Sequence, residues 1–151
     1  MKHICISIFV SATTLAAFGQ AKPRQATLAQ QKMCADQARR MFNESYSAHG
    51  KDGLSYDYTS HYDSQQNICY ILVHGSGVLK DSGHPVVTNI VFDAFEGRTY
   101  AAYSWINSQS KKYWEVTPIE CRVLPRGQEA MNCKSSDEFE ALIDKYFGIG
   151  R

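Results

Sequence analysis

The chain has 151 residues, 44% of them hydrophobic and 21% charged, a size and balance that fit one globular domain and exclude a multidomain enzyme or a disordered tail. Its 16 Lys and Arg face 15 Asp and Glu, which argues against a strongly basic nucleic-acid binder. Five cysteines are the informative count, and no constellation that names an activity accompanies them.

The first element is an address. Met1-Lys2-His3 is a short basic start, Ile4 to Phe18 is apolar apart from Ser and Thr, and small residues follow, which is the layout of a secretory signal peptide. Cleavage after Gly19 or after Ala21 satisfies the small-residue requirement, and both remain open. No later stretch reaches the 18 apolar residues of a membrane span, so no stable span is expected after signal removal. Lys2 leaves with the signal, so the expected mature domain, residues 22–151, has 15 basic and 15 acidic side chains. No long-range field then steers it to nucleic acid or to an anionic surface.

From Thr27 to about Ser45, Leu28, Cys34, Ala35, Ala38, Met41 and Phe42 recur at three- and four-residue spacing, which predicts an amphipathic helix. A glycine-containing polar stretch, Ser47 to Gly53, ends it. The period then changes to two. Tyr56–Tyr62 and Ile68–His74 read as strands of a hairpin around Asp63 to Asn67, and Gly75-Ser76-Gly77 reads as a turn, since the lysine and helix of a phosphate loop are missing. Val86–Phe95 and Arg98–Ile106 form a second hairpin around Glu96-Gly97. Tyr113–Leu124 reads as a long strand that changes apolar parity at Thr117-Pro118, where a bulge or an edge position is expected, and Gln128–Cys133 as its shorter partner. Ser135-Ser136-Asp137-Glu138 is a capping-box pattern before Phe139, Leu142, Ile143, Tyr146 and Phe147, a helical spacing. The expected fold is α+β: an N-terminal helix, an antiparallel sheet of five to six hairpin-linked strands, and a C-terminal helix.

In an oxidising compartment Cys34, Cys69, Cys121 and Cys133 form an even set that predicts two disulfides. Pro125-Arg126-Gly127 lies midway between Cys121 and Cys133, so a hairpin there sets those two opposite each other and leaves Cys34 for Cys69. No metal spacing is present among the cysteines or histidines, and no cofactor is expected. His61 stands out because Tyr58-Thr59-Ser60-His61-Tyr62-Asp63 concentrates hydroxyls, an imidazole and a carboxylate. Strand alternation separates His61 from Ser60, which excludes a local Ser-His-Asp triad. Lys111-Lys112-Tyr113-Trp114 interleaves base and aromatic, but one such cluster on a neutral chain does not make a nucleic-acid binder. Tyr58, His61, Tyr62, Trp105, Tyr113 and Trp114 are the candidate binding residues, on the argument that a sheet covered by helices on one face only would leave aromatic rings open on the other.

Cys34-Ala35-Asp36-Gln37-Ala38, Phe42, the Tyr58-Thr59-Ser60-His61-Tyr62-Asp63 string, Cys69-Tyr70 and Tyr113-Trp114-Glu115-Val116 before Cys121 resemble a set of small exported bacterial proteins with no assigned function. The resemblance implies a periplasmic or secreted location and supplies no activity. The leading expectation is a disulfide-stabilised, non-catalytic binding module for a protein or glycan, using the aromatic sheet face and the Tyr46–Tyr56 loop region. Two alternatives remain open: a small envelope hydrolase using His61 with Asp57 or Asp63, and an inhibitor of a secreted enzyme.

Overall fold

The computed structural model describes residues 25–46, 53–107, 112 and 115–149. The expected signal segment, residues 47–52 of the stretch after the first helix, and Tyr113 and Trp114 lie outside the described residues. Two helices flank a six-stranded antiparallel sheet, in the order α1 (Leu28–Tyr46), β1 (Leu54–Asp63), β2 (Ile68–Val78), β3 (Pro85–Asp93), β4 (Thr99–Ile106), β5 (Glu120–Val123), β6 (Met131–Asn132) and α2 (Ser136–Phe147). Strand order equals chain order, so the sheet is a simple meander with β1 at one edge and β6 at the other. The fold is α+β, as the period changes along the chain imply.

Local chemistry starts each helix. Thr27 Oγ1 accepts from the Gln30 amide at 3.2 Å while Gln30 Oε1 accepts from the Thr27 amide at 2.9 Å, a reciprocal capping box. At α2, Ser135 Oγ accepts from the Glu138 amide at 3.2 Å, and Glu138 Oε2 accepts from the Lys134 amide at 2.7 Å. Gly148 ends α2 in the left-handed conformation, φ 61°, and its amide donates to Asp144 O, the expected glycine stop.

Strand β2 connects two cores because its alternate side chains enter opposite layers. Cys69, Ile71 and Val73 join Cys34 and Ala38 of α1, whereas Ile68, Tyr70 and Leu72 join Val91, Tyr103, Val123 and the α2 residues Phe139, Ile143 and Phe147. The helices therefore cover opposite faces of the sheet. Cys34–Cys69 ties α1 to β2, with Cα atoms 5.3 Å apart, and Cys121–Cys133 joins the β5–β6 hairpin at 5.0 Å, the pairing the spacing implies.

Two segments differ from expectation. Gly75-Ser76-Gly77 is no turn but part of β2, in register with Ser55 and Val87 through Ser76. Gly75 is needed there because a Cβ would stand 2.6 Å from the Tyr56 ring and 2.8 Å from Thr88 Cγ2. Of the long strand expected over Tyr113–Leu124, the part described from Glu115 on is a strand only over Glu120–Val123: the Glu115 amide donates to Lys112 O in a local turn, and pairing of these residues with β4 begins only past Pro118. Proline's missing donor and the parity change mark where the ladder starts rather than a bulge within it.

Candidate functional site

The aromatic candidates divide by burial. Trp105 is 5% exposed in the α2-side core, and its indole Nε1 donates to Val116 O at 3.1 Å. Tyr62 is 8% exposed, its hydroxyl receiving Gln30 Nε2 at 3.0 Å and donating to Asn67 Oδ1. Tyr58 is half-buried and stacks on Phe42 of α1, ring centres 4.5 Å apart. With a helix on each face, the described residues form no open aromatic face of the kind expected from a one-sided sheet. Tyr62, Tyr58 and Trp105 hold layers together instead.

His61 remains exposed, and with Tyr62 it lines a concave surface. An open cleft of about 990 Å³ runs around the end of β1, where the start of α1 and the end of α2 meet from opposite faces. Ser60, His61 and Asp63 of β1, Gln31 of α1, Gln66 of the β1–β2 turn, and Lys145 and Tyr146 of α2 line it. Asn67, with φ 56°, supplies the left-handed residue that closes the turn, and Asp63 Oδ1 accepts from the Gln65 and Gln66 amides at 2.8 and 3.0 Å. The left-handed stop at Gly148 brings α2's end beside His61: a Cβ at position 148 would sit 3.4 Å from His61 Nε2. Side chains here are mainly hydrogen-bonding groups, which suits a polar ligand or a polypeptide backbone better than an apolar molecule.

The backbone of β1 adds to this. Ala94 N–H donates to Cys69 O at 2.8 Å, so Cys69 turns its peptide groups toward β3. Its β1 partner, Tyr62, must therefore turn its own N–H and C=O to the side away from β2, and by alternation Ser60 and Tyr58 do the same. Register with β2 is unbroken over all ten residues of β1, from Leu54↔Gly77 to Asp63↔Ile68. The strand holds no Pro, Lys or bulge, the usual devices that blunt an edge. At the opposite edge, β6 is only two residues long.

A polar row crosses the α2 side of the sheet: Asp57, His74, Asn89 and Tyr103 are successive cross-strand partners. His74 Nδ1 lies 2.6 Å from Oδ1 of Asn89, one of the buried polar residues, which satisfies that amide oxygen. Spacing in the sequence does not reveal this row, because it depends on the registers of three hairpins. Beneath His61 lies its partner Tyr70, whose phenol is held well above the usual tyrosine range, first by burial and then by Tyr100, Asp63 and Asp93. Among the described residues no group of three or more His, Cys, Asp or Glu is placed to hold a metal ion. No helix among them is long and apolar enough to cross a membrane.

Comparison with protein-family models, with curated proteins and with solved structures finds no match to this chain.

Proposed function

We propose that the chain is an exported binding module, periplasmic or secreted, that works without catalysis and takes up an extended polypeptide along the edge of β1 that faces away from β2. The observation that carries this reading is the edge itself: ten residues in unbroken register, with outward peptide groups at Tyr58, Ser60 and Tyr62, beside an open polar cleft. An added strand would satisfy those groups, and the side chains of the cleft would supply selectivity. Two disulfides support service in an oxidising compartment, where such bonds persist.

The test is a capture experiment on native envelope extract with the wild-type protein and a Ser60→Pro variant. Ser60 directs its N–H away from β2, so proline there removes a donor to an incoming strand while leaving the β1–β2 ladder intact. Far-UV circular dichroism and intact mass under thiol alkylation verify that the variant keeps its fold and both disulfides. The expected result is loss of the partners that the wild type recovers. Equal recovery by both proteins would remove the β1 edge from the function.

A further inference from the structure

We infer that a small polar pocket at the turn end of the sheet binds a free amino acid, with its carboxylate on Arg98, Arg126 and the Tyr100 hydroxyl and its ammonium on Asp93 and Glu96. This site does not depend on the reading of the β1 edge. In a meander the β1–β2, β3–β4 and β5–β6 turns gather at one end of the sheet. There Gln66, Asp93, Glu96, Arg98, Tyr100 and Arg126 line a pocket of about 270 Å³. That volume lies just below the usual range for drug-sized ligands, and the lining is mainly polar, so the molecule it fits is small and hydrophilic.

Tyr100 supplies the observation that points to a ligand. It is 4% exposed, its ring held edge-on to Tyr70 at 5.3 Å and tilted against Phe147 at 5.8 Å. Among the described residues its hydroxyl makes no hydrogen bond, yet no fully buried side-chain oxygen or nitrogen lacks a partner, so that hydroxyl must open into the pocket the residue lines. Asp93 is in the same position with a negative charge. It is 5% exposed, and its Oδ1 accepts from the Phe95 and Glu96 amides at 2.8 and 3.2 Å, which fixes the carboxylate and leaves Oδ2 to the pocket. A carboxylate so withdrawn from water is stabilised by a cation. Neither arginine serves: among the described residues the Arg98 and Arg126 guanidinium groups form no ion pair with Asp93 or Glu96. Charges of both signs therefore line one small pocket without neutralising each other. A simple anion would leave Asp93 facing it, and a simple cation would meet two guanidinium groups. A zwitterion satisfies both signs, since the guanidinium fork matches a carboxylate and the phenol donates one further bond to it. An α-amino acid carries the two charges one carbon apart, short enough for this volume.

Titration of the disulfide-bonded chain with L-serine, L-glutamine, L-glutamate and L-lysine, followed through backbone amide NMR shifts, reads the site directly. At least one of the four is expected to give saturable shifts centred on Gln66, Glu96, Arg98 and Arg126. The hydroxy acid and the amide of that same amino acid, which lack the ammonium and the carboxylate respectively, are expected to bind at least about tenfold more weakly, because each leaves one sign of the pocket unpaired. Tyr100→Phe keeps the ring packing, Arg126→Gln changes an exposed loop residue, and Asp93→Asn keeps an acceptor for the two turn amides. Each is expected to weaken binding about tenfold. Circular dichroism and alkylation mass checks accompany every variant. No saturable shift at the pocket with any of the four amino acids overturns the site. Equal binding of the hydroxy acid or of the amide overturns the zwitterion as its ligand. Affinity unchanged in Tyr100→Phe and Arg126→Gln overturns the carboxylate contacts, and affinity unchanged in Asp93→Asn overturns the ammonium contact.

Discussion

Tyr70 shows how one side chain sets a pH limit. It is fully buried, stacked edge-on against Tyr100 at 5.3 Å and tilted against Phe147 at 4.9 Å, so its phenol holds its proton to higher pH than a free tyrosine. The unfolded chain loses that proton at about pH 10. Between that pH and the higher folded value the unfolded state has released a proton that the folded state keeps, so stability is whole below about pH 10 and falls as pH rises through the window. Tyr46, also raised by burial, adds to the same slope. A Tyr70→Phe variant is expected to show a shallower fall in urea midpoint above about pH 10 than the wild type. Parallel falls would show that Tyr70 is not a source of the alkaline sensitivity. At this scale the sequence singled out His61, which lines the cleft, but it carried no sign that Trp105 and Tyr62 are core residues. Burial depends on which face each helix covers, and residue type does not carry that.

Elements were legible where a period ran uninterrupted. Both helices and the first four strands follow their hydrophobic spacing, and α2 begins at the Ser135 box. That cap is open to direct measurement: Ser135→Ala removes the acceptor for the Glu138 amide and is expected to lower stability by about 1 kcal/mol in urea unfolding, with the α2 amides exchanging faster. No change in either quantity would mean that the Glu138–Lys134 contact alone holds the helix start. Legibility failed where composition imitated a strand or a turn. Glu115 and Val116 continue an apolar alternation into residues that form a turn, because Pro118 delays pairing with β4. Glycines 75 and 77 imitate a loop, yet Gly75 is the residue that lets the Tyr56 ring lie across β2. The edge position of β1 could not be read from one strand at all, since it follows from the order of six. What the sequence did hold was the absence of lysine and proline from Leu54–Asp63, a signal whose meaning depends on that order.

Across the whole molecule, two helices are attached to one sheet by different physics. Helix α2 inserts Phe139, Ile143 and Phe147, all nearly inaccessible, and no disulfide ends within it. Helix α1 buries only Cys34 and Ala38 fully, leaves Leu28 and Met33 exposed, and is bonded covalently to β2. The Cys34–Cys69 bridge closes a separation of 35 residues, for which chain entropy gives about 4 kcal/mol. Beyond Cys34 and Ala38, α1 is held by half-buried Met41, Phe42 and Tyr46, so the covalent constraint is expected to carry a large share of its docking. Hydrogen exchange on the oxidised chain and on a Cys34→Ala/Cys69→Ala variant tests this. The α1 amides are expected to exchange at least about a hundredfold faster in the variant, while those of β2, β3, β4 and α2 change far less, because α1 detaches by local opening. Equal acceleration in α1 and α2 would show instead that the sheet couples its two faces into one cooperative unit and that the bridge braces the whole fold. The distinction bears on the β1 edge, because α1 packs over β1 through Phe42–Tyr58 and Tyr46–Tyr56. An α1 that opens locally would loosen β1, so the bridge that fixes the helix also helps to keep that strand extended and in register with β2, as the proposed strand uptake requires.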